Sequence, residues 1–255
     1  MIGLKTFTEF FKDFTDSYIV IGGAACEDYF EREGINFRVT KDIDMILVVE
    51  AVDDDFISRF WDFIKAGKYK RNEQSDRWQY YRFIDPEIEG FPAQIELFSR
   101  TPDIIPPIDD ARFTVIPTDE DLSSLSAILM DGDYYHFTLE HSTTEGELRR
   151  ANELALVCLK AKAFLDLSQR KKEGQRIDSK TIKKHRSDIF RLAATLTDED
   201  QITLPESIQK DMSAFMEMME DNPPQTKDLL KAMGITMLNT DQLINQLKQS
   251  FKLDN

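Results

Sequence analysis

Two short stretches of this 255-residue chain have the residue types and the spacing to do chemistry. Gly22-Gly23 closes the apolar run Tyr18-Ile19-Val20-Ile21, and Asp42-Ile43-Asp44 opens a second apolar run that reaches Val49. Backbone that lacks a Cβ can come close to a bound phosphate, and a helix that follows aims its first N–H groups at the anion. Side chains alternate across a strand. Asp42 and Asp44 therefore share one face, about 7 Å apart along the chain, while Ile43, Met45, Leu47 and Val49 share the face that packs inward. Two carboxylates so placed repel each other. Beside a divalent cation they become useful, because a hard ion such as Mg²⁺ takes carboxylate and phosphate oxygens together. Two bridged ions can activate an attacking hydroxyl and stabilise a leaving pyrophosphate. A double glycine or an Asp-x-Asp is a common feature by itself. The order strand, Gly-Gly, helix, Asp-x-Asp, strand is more specific.

Further residues complete the candidate set. Glu96 lies between Ile95 and Leu97 in the strand-like run Ala93–Phe98 and by alternation points away from the core, as Asp42 and Asp44 do. It is the expected third metal ligand. Thr40, two residues before the first aspartate, is counted with Gly22 and Gly23 as a nucleotide contact. Lys160 sits among Leu156, Val157, Leu159 and Ala163, an awkward place for a charge unless it meets a carboxylate or a phosphate. Lys162 could play the same part. His136 and His141 have no partner at metal-ligand spacing, and there is neither a Gly-x-Ser-x-Gly nor a Gly-x-x-x-x-Gly-Lys pattern.

The elements that must hold these residues follow from periodicity. Phe7, Phe10, Phe11 and Phe14 recur at helical spacing over residues 4–15. Tyr18–Ile21 and Ile43–Val49 read as strands, and Ala24–Arg32 as a helix stopped by Gly34. Asp53-Asp54-Asp55 reads as an acidic helix start. Trp78–Ile84 and Ala93–Phe98 read as strands, and Pro102, Pro106 and Pro107 mark an irregular connection. Leu125–Met130 and Tyr134–Leu139, joined by Asp131-Gly132-Asp133, read as a hairpin. Long helical patterns cover 145–168 and 180–196, and Pro223-Pro224 precedes one or two short helices in 226–252. The expected organisation is α+β: a mixed part with a small sheet over residues 1–142 and an all-helical part over 143–255.

Bulk properties narrow the class. A net charge of −15 argues against broad electrostatic binding of nucleic acid. The charge is uneven, because Arg170–Arg191 holds nine Lys/Arg against three acids. That basic island is a solvated face or a patch for a phosphate-bearing acceptor such as RNA. No apolar run approaches about 20 residues, so no membrane span is expected. The start of the chain lacks a signal-peptide pattern, and Cys26 and Cys158 read as buried free thiols, which together imply the cytoplasm.

Gly22-Gly23, Asp42-Ile43-Asp44 and Glu96 resemble the signature of the nucleotidyltransferase fold of polymerase-beta-like enzymes. More narrowly, the chain resembles the AbiEii-type nucleotidyltransferases, toxins of abortive-infection and type IV toxin–antitoxin systems. Leu159-Lys160-Ala161-Lys162-Ala163 is similar to that family's Lys-containing helix. Lys184-His185-Arg186-Ser187-Asp188 is similar to its Lys-Asp-x-x-Asp pattern, with His185 where the first acid is expected. The resemblance spans roughly residues 15–195. It implies an NTP substrate with Mg²⁺ or Mn²⁺, held by Asp42, Asp44 and Glu96. Lys160 would then contact the nucleotide phosphates, and Asp188 would support the site or act as base. It also implies an antitoxin protein as a partner. Glu96 and His185 depart from the pattern, so a nucleotide- or partner-binding module without turnover is the competing expectation.

Overall fold

β-Branched and aromatic residues in short runs make strands here, and spaced phenylalanines make the helices that cover them. The computed structural model describes residues 3–69, 80–99 and 131–253. Trp78, the three prolines at 102, 106 and 107, and the first arm of the expected hairpin, 125–130, lie outside the described residues. The described chain is α+β, with a six-stranded mixed sheet and nine α-helices among the described residues. Packing separates it into two units. One comprises Met1–Tyr29, Arg38–Leu122 and Thr138–Asn152; the other comprises Phe30–Phe37, Ser123–Phe137 and Glu153–Asn255.

The first unit carries the sheet. Helix α1 (Leu4–Phe11) runs through a 3-10 turn into β1 (Tyr18–Ile21), every residue of which is buried. Helix α2 (Gly22–Arg32) starts at the double glycine itself, and Gly34, at φ +68°, donates to Glu31 as the stop. Strand β2 (Asp42–Leu47) is shorter than its apolar run. Beyond it the Val48 N–H bonds Ser17 and the chain turns back, so Val49 is not in the strand. Helix α3 (Asp54–Gly67) is capped by Asp53, whose carboxylate accepts from the Phe56 N–H at 2.8 Å, as the acidic run suggests. Strands β3 (Tyr80–Ile84) and β4 (Gln94–Phe98) follow.

The sheet order is β3-β4-β2-β1-β6-β5. β2 pairs antiparallel with β1 and parallel with β4, and β3 pairs antiparallel with β4. Alternation gives the sheet one apolar face, with Tyr18, Met45, Leu97 and Phe83 on it. Aromatic side chains of α1 and α3 pack there: Phe7 lies 5.2 Å from Tyr18 and Phe60 lies 5.3 Å from Phe83, both edge-on. Such pairs contribute about 0.5–1.5 kcal/mol each beyond their burial. The opposite face carries the polar residues of β2, β3 and β4 beside buried Ile19, Ile21, Ile46 and Phe98.

Two expectations are corrected. Asp131-Gly132-Asp133 does not turn a hairpin; it starts helix α4 (Gly132–Glu140), on which His136 lies. The Asp131 carboxylate accepts from the Asp133 N–H at 2.9 Å, so the aspartate that favours a turn here serves as a helix cap. Residues 142–151 are not helical either. They form β5 (Ser142–Glu145) and β6 (Leu148–Ala151), joined by Gly146-Glu147 with Gly146 at φ +65°. Glycine at the first position of a two-residue loop is a hairpin signal that the long helical run beyond it conceals. β6 lies parallel to β1, so these residues belong to the sheet.

The second unit is built on α5 (Glu153–Lys172), which buries eleven residues around its circumference. Helix α6 (Ser179–Ala193), capped by Asp178, and α7 (Glu206–Asp221) pack on α5, with Phe215 of α7 edge-on to Phe164 at 5.4 Å. Helices α8 (Lys227–Ala232) and α9 (Thr240–Phe251) follow Pro223-Pro224, and α9 opens with an Asn239–Gln242 capping box. Among the described residues no helix is long and apolar enough to cross a membrane.

Cys26 and Cys158 are buried free thiols, and burial raises the Cys158 thiol well above its ordinary pKa. The folded protein should therefore resist Ellman's reagent at pH 8, and both thiols should react once guanidinium unfolds it. Rapid labelling of either thiol in the folded state would contradict this packing.

Candidate active site

The sheet register assembles the polar face. Ile21 is paired with Asp44, Asp44 with Glu96, and Glu96 with Arg82, while Asp42 is paired with Gln94. Residues paired across neighbouring strands point to the same face. Asp42, Asp44, Gln94, Glu96 and Arg82 thus form one polar patch on the face opposite the aromatic core. Ile43, Met45 and Leu47 are fully buried behind it. Adjacent strands are about 4.8 Å apart, which makes Glu96 the carboxylate directly beside Asp44.

The double glycine belongs to the same patch. Gly22 follows Ile21, the partner of Asp44, and takes φ +69°. A Cβ built on Gly22 would lie 2.1 Å from Asp44 Oδ2, so only glycine permits this approach of backbone to carboxylate. A Cβ on Gly23 would lie 2.4 Å from the Thr40 methyl and 3.2 Å from the Arg38 guanidinium. Thr40 is buried. Its N–H and its hydroxyl both donate to the Glu27 carboxylate of α2, the N–H at 2.8 Å. Thr40 thus ties the segment before β2 to the first turns of α2. Its hydroxyl also lies 3.4 Å from the Gly23 carbonyl, which places Thr40 directly beside the double glycine.

The carboxylates are in unlike situations. Asp42 is half-buried, and its carboxylate has no hydrogen-bond or ion-pair partner among the described residues. Asp44 is half-buried against Gly22. Glu96 is buried, and its Oε1 accepts from Arg82 Nε at 2.6 Å, Arg82 Nη2 at 2.5 Å and Gln94 Nε2 at 2.9 Å. Among the described residues no group of three or more His, Cys, Asp or Glu side chains is arranged to hold a metal ion. The donor chemistry of Asp42 and Asp44 suits a hard cation, with oxygen donors only and an open backbone beside them. The third carboxylate is engaged by a guanidinium.

Reading single residues misses Arg82, Gln94 and Arg38. Arg82 was legible in part, because Phe83 beside it is a core residue and alternation puts Arg82 on the other face. Its pairing with Glu96 needed the register. Arg150 also went unread. Only 1% exposed, it bonds Asp28 at 3.0 Å and Glu145 at 2.9 Å and lies over the Tyr29 ring, which anchors α2 to the β5–β6 hairpin.

Lys160 and Asp188 lie in the helical unit. They meet each other: Lys160 Nζ donates to Asp188 Oδ2 at 3.0 Å, with both residues buried. Asp188 Oδ1 accepts from Arg191 at 3.3 Å, and Arg191 lies over the Phe37 ring at 5.7 Å. The awkward position of Lys160 is explained by this carboxylate. Lys162, half-buried, bonds Asp211 at 2.7 Å, and the Tyr134 hydroxyl donates to the same oxygen at 3.0 Å. His185 is half-buried on α6. His141 titrates below its ordinary range because burial disfavours its charged form.

Replacing Gly22 by Ala should lower stability by about 1–3 kcal/mol, from left-handed strain and the clash with Asp44; an unchanged urea midpoint would refute the contact. Asp188→Asn should cost about 3–5 kcal/mol by stranding Lys160, and the double variant Lys160→Met/Asp188→Leu should recover most of that loss. Equal losses in the single and double variants would deny the pairing. Comparison with protein-family models, curated proteins and solved structures finds no match for this chain.

Proposed function

We propose that the chain is a Mg²⁺-dependent nucleotidyltransferase that moves a nucleoside monophosphate from an NTP to an acceptor hydroxyl. The observation that carries this reading is the approach of Gly22 to Asp44 Oδ2 at the end of β1, with Asp42 on the same face. A phosphate chain laid along the Gly22–Gly23 backbone would lie next to the aspartates. Asp42 and Asp44 would hold the divalent ion, Mg²⁺ or Mn²⁺, which supplies charge neutralisation for the triphosphate when bound. Arg38, beside Gly23, adds positive charge next to that backbone. In the transfer, the acceptor oxygen forms a bond to the α-phosphorus as the bond to pyrophosphate breaks, and a carboxylate of the patch takes the acceptor's proton. By the resemblance, the acceptor is an RNA such as tRNA or a protein; the basic segment Arg170–Arg191 would be the contact for RNA, and a toxin–antitoxin or phage-defence setting with an antitoxin partner follows.

A second reading has its own observation. Arg82 holds Glu96, so the third carboxylate is neutralised inside the sheet. A nucleotide- or partner-binding module of the same fold, without turnover, would need no third ligand.

Incubation with α-labelled NTPs, cellular RNA and Mg²⁺ tests the first reading. Label should pass to an acceptor, and Asp44→Asn should reduce transfer about a hundredfold or more. Transfer that survives Asp44→Asn removes the aspartate from the mechanism. Thermal stabilisation by an NTP with metal, without transfer, supports the second reading. Neither stabilisation nor transfer overturns both. Arg82→Gln decides the part of Glu96: tighter Mn²⁺ binding makes it a ligand, and unchanged binding makes the pair structural.

A further inference from the structure

Helix α6 presents a stripe that does not look like a packing stripe. Lys183, Arg186, Ser187 and Phe190 are spaced i, i+3, i+4, i+7 along one side. Such a side, facing another segment, is ordinarily apolar. Here it faces the Asn222–Thr226 segment between α7 and α8 across a cleft of about 330 Å³. Phe190, buried, belongs to the lining, and so does Thr226, which is 3% exposed with its hydroxyl engaged by Thr240. Pro223 and Pro224 stiffen the opposite wall.

The charge is one-sided. The lining includes Lys183, Arg186, Ser187 and the amide side chain of Asn222, and it includes no Asp or Glu, in a chain with 47 acids to 32 basic residues. Arg186 is half-buried, yet neither it nor Lys183 makes a hydrogen bond or ion pair among the described residues. A partly desolvated guanidinium without an anion is unfavourable. Its neighbours Asp188 and Arg191 satisfy each other and Lys160, so the nearest carboxylate on the helix is already taken.

We propose that this cleft is a phosphate-binding site of the helical unit, in which Lys183 and Arg186 neutralise one phosphate group while Ser187 and Asn222 donate to its oxygens. A tetrahedral anion with several acceptor oxygens suits an ammonium, a guanidinium fork and neutral donors better than a single planar carboxylate does. The group could be borne by a mononucleotide or by a single-stranded RNA backbone, and the site itself needs neither metal nor turnover.

The test is binding without catalysis. Titrations in EDTA would use pyrophosphate, a 5′-nucleoside monophosphate, a short single-stranded oligoribonucleotide and an oligo-glutamate peptide as probes. The protein variants are wild type, Lys183→Gln/Arg186→Gln, and a charge-matched control, Lys65→Gln/Lys210→Gln, whose residues are exposed, outside the cleft and outside the Arg170–Arg191 segment. A phosphate-bearing probe should bind, and the cleft variant alone should weaken it about tenfold or more, the size expected for losing one charge-assisted contact. Binding of the small probes assigns the source to a mononucleotide; binding of the oligonucleotide only assigns it to RNA. Equal weakening by both double variants, preference for the oligo-glutamate, or no phosphate binding overturns the proposal. Because metal is chelated throughout, these outcomes are separate from the fate of the transferase reading, which Asp44→Asn decides.

Discussion

The hydrogen-bonded register of β2 is the constraint on which the polar face depends. With β1 on one edge and β4 on the other, β2 can place Asp44 beside both Ile21 and Glu96 in only one alignment. A slip by one residue would send the aspartates into the aromatic core and Ile43 and Met45 to the opposite face. The burial of those apolar residues, and of Tyr18 and Phe83 beneath α1 and α3, is what makes the slip costly. Site geometry is thus secured in large part from behind, by packing on the face opposite the aspartates.

Electrostatics then differentiates residues that the register treats alike. Glu96 is compensated within the sheet by Arg82, whereas Asp42 has nothing of the kind among the described residues. Acids on one face of two neighbouring strands, β2 and β4, would otherwise repel, and a guanidinium at the β3 edge relieves part of that repulsion. In the helical unit Asp188 performs the converse service, compensating Lys160 and Arg191 at once. Each unit thus sets a balanced cluster, Glu96–Arg82 in the first and Lys160–Asp188–Arg191 in the second, beside charge with no partner among the described residues, Asp42 and the Lys183–Arg186 stripe.

Strands β1 and β2, the Asp53 cap and the buried thiols were legible in the sequence because each rests on local rules: alternation, capping and thiol burial. The assignment of Glu96 to the aspartates' face also followed from alternation. What it accepts from did not, because Arg82 reaches it through strand pairing across fourteen positions that no local pattern encodes. The failure at Asp131-Gly132-Asp133 has the same origin in reverse. Aspartate there satisfies a free N–H equally well in a turn or at a helix start, and the following residues decide. The β5–β6 hairpin was hidden because Leu148, Ala151 and Leu154 also fit helical spacing, while Gly146 alone marks the turn. Lys160 shows a correct physical question, what buried anion it meets, answered by a carboxylate of its own unit.

The parallel pairing of β1 with β6 has a consequence for how the protein comes into being. Val20 waits for Arg150, about 130 positions later in the chain. At a synthesis rate of about 5–20 residues per second, β1 has one open edge for roughly 7–26 s on the ribosome. That edge belongs to Tyr-Ile-Val-Ile, a strand with no charge to discourage a foreign partner. Nascent chains, and any fragment ending before Leu148, would present a sticky apolar ribbon to chaperones or to one another, so the short β5–β6 hairpin is also what closes the sheet against misassembly.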